Sequence, residues 1–204
     1  KQFSILDKGK KIKVLSLFFI DEVSKVRDNT REDGRGEYLR IFDEQYKDII
    51  QNDLYYKRKF EQYKELFPKY NEELAVREGY FAIDKNQKAV EVDGWNSDLE
   101  ENNLKAKSQE DVDRGIKLIL EGKDELISFD EPLCFIFSHS ALREGWDNPN
   151  VFQICTLKES KGTYIRRRQE IGRGLRLCVN QDGERVEDYS VNRLTVMANE
   201  SYSE

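Results

Sequence analysis

The chain has 204 residues, 36% of them charged and 38% hydrophobic, and its 34 Lys and Arg against 40 Asp and Glu leave a formal net charge of −6. That length suits one domain with a real core, and the apolar content excludes a disordered chain. No apolar run approaches the ~20 residues of a membrane helix and no charged start leads into an apolar signal stretch, so a soluble, cytoplasmic protein without a membrane partner is expected.

After a Lys-rich start, Ile12 to Ile20 is a nearly continuous apolar run ending at Asp21. It predicts a strand buried on both faces of a parallel sheet. Leu39, Phe42, Tyr46, Ile49, Ile50 and Leu54 then recur at helical spacing, predicting a helix from near Tyr38 that breaks near Asn52 and runs on to Phe67, where Pro68 ends it. Tyr80 to Ile83 reads as a short strand. Residues 84–107 are polar and aperiodic, with Asp93-Gly94 and Asn102-Asn103, and read as a loop or insertion. Ser108 and Asp111 resemble a capping box, after which Val112, Ile116, Ile119 and Leu120 continue a helix that Gly122 closes. Leu133 to Phe137 and Val151 to Leu157 are the second and third buried strands. Thr163 can cap a helix carrying a basic block, and a final strand falls around Val191 to Ala198.

Apolar strands alternating with amphipathic helices predict an α/β fold over a single domain 1–204, a parallel sheet with helices on both faces in three layers. Sites in such sheets form at the carboxyl ends of strands, which points to the loops after Ile20, Phe137 and Leu157. Cys134, Cys155 and Cys178 sit among apolar neighbours and read as reduced core residues. With a lone His139 and no paired-cysteine spacing, the chain offers no familiar metal-binding set.

The net negative charge disguises a segregated one. Asp84 to Glu131 holds 14 acids and 7 bases, a net of −7, whereas Lys158 to Arg176 holds 7 bases and 2 acids, a net of +5. Phosphate contacts need such Lys and Arg.

Two segments carry chemistry. In Ser138 to Asn150 (SHSALREGWDNPN), Gly145 permits backbone angles that other residues avoid, Asp147 can accept from a ribose hydroxyl or orient an arginine, and Ser138 and Ser140 can donate to a phosphate. A surface turn cornered at Asp147-Asn148-Pro149, with Trp146 packed beneath, accounts for the same residues. In Tyr164 to Cys178 (YIRRRQEIGRGLRLC), Gln169, Arg173 and Arg176 stand at i, i+4 and i+7, on one face of the predicted helix. Two guanidinium groups a turn apart match polyphosphate oxygens and stay ionised at any working pH. Gly172 and Gly174 each cost a helix roughly 1 kcal/mol relative to Ala, so they point to close approach of another backbone or a ligand. For Lys161, Arg166 and Arg167 a solvated basic face is as good an account.

In order and spacing, ALREGWDNPNV and QEIGRGLR resemble motifs V and VI of the second RecA-like domain of superfamily 2 helicases and translocases, with FFID in the place of motif IV. More narrowly, FIFSHSALREGWDNPNVFQICTL followed by RRQEIGRGLRLCVNQDGERV is similar to the restriction (Res) subunit of type III restriction enzymes. The match is dense over the last third of the chain and loose before it, and Leu175 stands where the helicase pattern usually has glycine. The resemblance implies a RecA-like fold in which Arg173 and Arg176 are arginine fingers on the ATP γ-phosphate and Gln169 fixes them. It places Gly145, Asp147 and Gly172 at the nucleotide cleft, and Ser138, Ser140, Arg143 and Asp21 on the DNA backbone. It further implies ATP with Mg2+ shared with a preceding RecA-like domain of the same polypeptide, and double-stranded DNA and a DNA methyltransferase (modification) subunit as partners.

ATP hydrolysis also needs a glycine-rich loop with Lys-Ser/Thr, and here Gly9-Lys10 is followed by lysine and Gly122-Lys123 by aspartate. The expectation is half a motor, inactive as an isolated domain. Two rivals remain. A metal-dependent nuclease would use Glu121-Gly122-Lys123 or Glu159-Ser160-Lys161, neither placed to share a metal with Asp147. A non-catalytic interaction module would use the aromatic and basic run Tyr55 to Phe60, although such runs more often have one buried and one wet face.

Overall fold

The computed structural model describes residues 1–28, 30–67, 69–80, 82–83, 89–90, 117–139, 146–157, 168 and 171–197. In chain order its elements are α1 (Gln2–Leu6), β1 (Leu15–Phe19), a 3-10 turn (Val23–Lys25), α2 (Glu37–Asn52), α3 (Leu54–Gln62), β2 (Arg77–Tyr80), β3 (Ala82–Ile83), β4 (Ala89–Val90), α4 (Lys123–Ile127), β5 (Phe135–Ser138), β6 (Val151–Thr156) and β7 (Thr195–Met197). Residues 117–121 are also helical.

Five strands form one sheet in the order β2-β5-β1-β6-β7, and every neighbouring pair is parallel. This is the RecA-like α/β architecture expected of the apolar strand runs. β1 lies at the centre because it is buried on both faces. Leu15, Leu17 and Phe19 alternate into one cluster with Leu118, Ile119 and Leu126, so residues 117–121 and α4 cover that face. Phe18 turns to the other face, where Phe42 of α2 meets it edge-on at 6.3 Å and also packs against Phe135 and Phe137. No helix of the described residues is long and apolar enough to cross a membrane.

Several boundaries differ from the sequence reading for physical reasons. The long helix does break, at Asp53, whose carboxylate accepts from the amides of Tyr55 and Tyr56 and so starts α3 as a new helix. α3 ends at Gln62, short of Phe67, and the chain continues in turns. The edge strand β2 begins at Arg77, earlier than Tyr80, because Arg77 and Glu78 are buried in ion pairs rather than solvated. Residues 84–107 are not all loop, since Ala89–Val90 pairs antiparallel with Ala82–Ile83 as a small hairpin. Gly122 closes the helix at residues 117–121 as expected, and it also turns the chain into a second one: its amide reaches Leu118 O, α4 starts at the next residue, and a Cβ on Gly122 would lie 2.9 Å from a Leu118 side-chain carbon. The strand expected at Val191 to Ala198 shortens to β7, an exposed edge. All three cysteines are free, Cys134 and Cys178 buried and Cys155 half-buried.

The aromatic and basic run of α3 packs one way and wets the other. Phe60 lies 5.0 Å from the Phe3 ring, edge-on, and Lys59 is paired with Asp7, while Tyr55 is exposed.

Candidate functional site

The described candidates fall at opposite ends of the sheet. Asp21, Ser138 and the neighbouring Thr156 lie at the carboxyl edge. Ser138 and Thr156 are both in register with Phe19 of the central strand, so the three side chains share a face. Both hydroxyls are buried and have no hydrogen-bond partner among the described residues. Asp21 follows β1 and is closed by an ion pair to Lys25 and a hydrogen bond from the Tyr38 hydroxyl at 3.3 Å. Burial alone would raise its carboxyl, yet the Lys25 ammonium prevails and holds it below the usual carboxylate range.

The second group lies beside the amino ends of the strands, where loops after β1, β5 and β6 would not place it. Asp147 stands four residues before Val151, the first residue of β6. Asn150 gives its carbonyl to the amide of Leu15, where β1 begins, and exchanges two side-chain hydrogen bonds with the backbone of Val179. These contacts bring residues 176–179 to the same end. Of the candidates expected at the carboxyl edge, Asp21 and Ser138 lie there, whereas Asp147, Arg173 and Arg176 lie at the amino end.

Asp147 is the hub of this group. Its Oδ1 accepts from Lys123 Nζ at 3.0 Å and its Oδ2 from Arg176 Nε at 3.2 Å. Arg176 Nη1 also donates to Leu175 O at 3.1 Å. Side-chain exposures of 43% for Lys123, 37% for Asp147 and 48% for Arg176 leave all three in reach of a solvent-borne ligand. The Lys123 ammonium, assisted by Arg176 and opposed by burial, holds the Asp147 carboxyl below its usual range. Arg173 approaches from behind, donating from Nη1 to Trp146 O at 2.8 Å. Trp146 is itself fixed, with its ring in the core and its Nε1 donating to Ile119 O at 2.7 Å. Trp146 is thus packed beneath the turn, as the sequence suggested.

The shared helical face is corrected. Helix persists at residues 171–172, but Arg173 and Gly174 form a turn and Arg176 lies in a bend beyond it. Gly174 explains the ending: a Cβ there would come within 2.5 Å of a Leu194 methyl and 3.2 Å of Val151 O. The close approach of another backbone expected of the two glycines is seen at Gly174, while among the described residues nothing lies within 4 Å of the Cβ position of Gly172. Gly145, Gln169, Ser140 and Arg143, together with Lys161, Thr163, Arg166 and Arg167, lie outside the described residues, as does the capping pair Ser108 and Asp111.

Lys123 and Thr156 escaped the sequence reading. Lys123 stands 24 residues before Asp147 and figures in the sequence only in a rejected phosphate-loop pair and a rejected nuclease set, never as a partner of that carboxylate. Thr156 closes an apolar strand and carries no motif.

No family model matches the chain. It is similar to the Res subunit of the type III restriction-modification enzyme EcoPI from Escherichia phage P1, 39% identical over 179 residues that make up 87% of this chain and 16% of that protein. The EcoP15I Res subunit from Escherichia coli is 38% identical over 90% of this chain and 17% of its own length. The StyLTI Res subunit from Salmonella typhimurium is 33% identical over 86% of this chain and 17% of its own length. The chain thus spans about one-sixth of the length of the curated relatives it matches.

Proposed function

From a chain that is Res-like along nearly its whole length and matches one segment of type III restriction subunits, we propose that it is the second RecA-like motor domain of an ATP-dependent DNA translocase. The observation that carries this reading is the pairing of Arg176 and Lys123 with Asp147 on one accessible rim, with Arg173 held on the carbonyl of the adjoining Trp146. Two cations on one accessible carboxylate and a third held on the adjoining residue suit a polyphosphate in charge and in donor chemistry.

ATP bound on a preceding RecA-like domain supplies the phosphoryl group, and this chain supplies positive charge. Arg176 leaves Asp147 and offers its guanidinium to the charge that develops on the γ-phosphate oxygens. Arg173, tied to Trp146 O, holds its direction from the core. Asp147 accepts from the nucleotide's ribose and restrains Arg176 between turnovers, while Gly145, Gly172 and Gln169 complete the cleft. Mg2+ is assigned to the preceding domain together with the ATP phosphates it accompanies.

At the opposite edge, Asp21, Ser138, Ser140 and Arg143 form the surface for the backbone of double-stranded DNA. Ser138 is fully buried. Its hydroxyl would meet a phosphate only once it is uncovered. In the complete assembly the motor works with a modification subunit, in the cytoplasm, and the isolated domain hydrolyses no ATP.

Steady-state ATP hydrolysis by the complete subunit tests the reading. Arg176→Ala is expected to lower kcat by about 10³-fold or more, the scale of an arginine finger, with DNA binding retained. Normal turnover would overturn it.

A further inference from the structure

We infer that Lys123 is a positioning residue that keeps Asp147 paired when Arg176 departs, so that Arg176 can exchange this carboxylate for an incoming polyphosphate. The inference rests on the reading of Arg176 as a phosphate-directed side chain and names a residue that reading does not require.

The geometry gives Asp147 two partners on separate oxygens, Lys123 on Oδ1 and Arg176 on Oδ2. Neither partner has to move for the other to leave. Each cation is more than two-fifths exposed, and such pairs are weak and exchangeable. If Arg176 were the sole partner, its departure would leave the Asp147 carboxylate to water alone. Lys123 keeps one ion pair in place through the exchange, since its ammonium is a compact point charge on a flexible stem that can follow the carboxylate. Arg176 is in turn held loosely at its other end, where Nη1 meets the carbonyls of Leu175 at 3.1 Å and Gly172 at 3.5 Å. Arg173 is directed instead to the backbone, its Nη1 donating to Trp146 O.

Two measurements test the role. In this chain, carbon-13 NMR titration of the Asp147 carboxyl is expected to stay below the usual carboxylate range in Arg176→Ala and to return to it in Arg176→Ala/Lys123→Ala. Return in Arg176→Ala alone would show that Lys123 does not hold the carboxylate and would overturn the inference. In the complete subunit, Lys123→Ala is expected to raise KM for ATP about five- to tenfold, more than it lowers kcat, with Lys123→Arg restoring it. In an Asp147→Asn background the same substitution should add nothing, because its effect travels through that carboxylate. An unchanged KM, or an equal penalty with Asp147→Asn, would sink it. Full ATPase in Arg176→Ala would instead reject the arginine-finger reading, and the carboxyl titration would still report on Lys123.

Discussion

Two carboxylates in this molecule are each bridged between two cations, and they differ in depth. Asp43 on α2 is 5% exposed and takes a two-pronged contact from Arg77 of β2, with Arg35 on its second side at 3.0 Å. Asp147 is also held by two cations, one on each oxygen, at 37% exposure. Burial decides what the shared pattern does. Around Asp43 the charges lack water as an alternative partner, so the network fixes the edge strand to the helix. Around Asp147 water and any passing anion compete, so the pairs can be remade at small cost.

Asp43→Ala is the severest way to break that contrast, because it leaves Arg77 buried without its carboxylate. A loss of about 3–5 kcal/mol is expected in urea unfolding, and a loss under 1 kcal/mol would show that the network is ornamental. Lys13 extends the contrast to a single buried cation. It is fully buried, its ammonium meets Glu131 O, and burial pushes it down to about 8 from an ordinary 10.5. The unfolded chain therefore binds a proton that the folded chain has released between those values, so stability should rise with pH there. Relative to Lys13→Met, the native chain should gain about 1 kcal/mol per pH unit between pH 8 and 9. Above that window the Cys134 thiol, pushed by burial up to about 12 from 9.0, works in the opposite direction. A flat difference between the two proteins would overturn the assignment.

Asp147→Asn should do least to the fold, costing less than about 1 kcal/mol near neutral pH. Its carboxyl is held low in the folded chain, so that small contribution is complete above the unfolded value and fades as pH falls through the folded one. Unfolding curves that separate strongly at pH 7 would place Asp147 with Asp43 instead.

The sheet was legible because β1, β5 and β6 are runs of Ile, Leu, Val and Phe, which have few other ways to be buried. β2 was hidden: Arg77 and Glu78 look solvated until Asp43 and Arg27, far away in sequence, supply their partners. At the site, Asp147, Arg173 and Arg176 were legible as a motif, because their order and spacing resemble helicase motifs V and VI. Their placement was not. A helical face for Arg176 assumes that the helix continues, and the contact that ends it, Gly174 against Val151 and Leu194, belongs to tertiary packing. Lys123 was invisible for the same reason as β2, since its partner is defined only by the fold.

β6 joins the two ends of the sheet. It begins beside Asn150, whose neighbour Asp147 carries the exchangeable pairs, and it finishes at Thr156, level with Ser138 and Phe19. Its six residues span about 20 Å and are hydrogen-bonded to strands on both flanks. A strand clamped on both flanks cannot slide or bend on its own, so β6 acts as a spacer: it holds the Asp147 rim and the Ser138 rim at a set separation within one sheet.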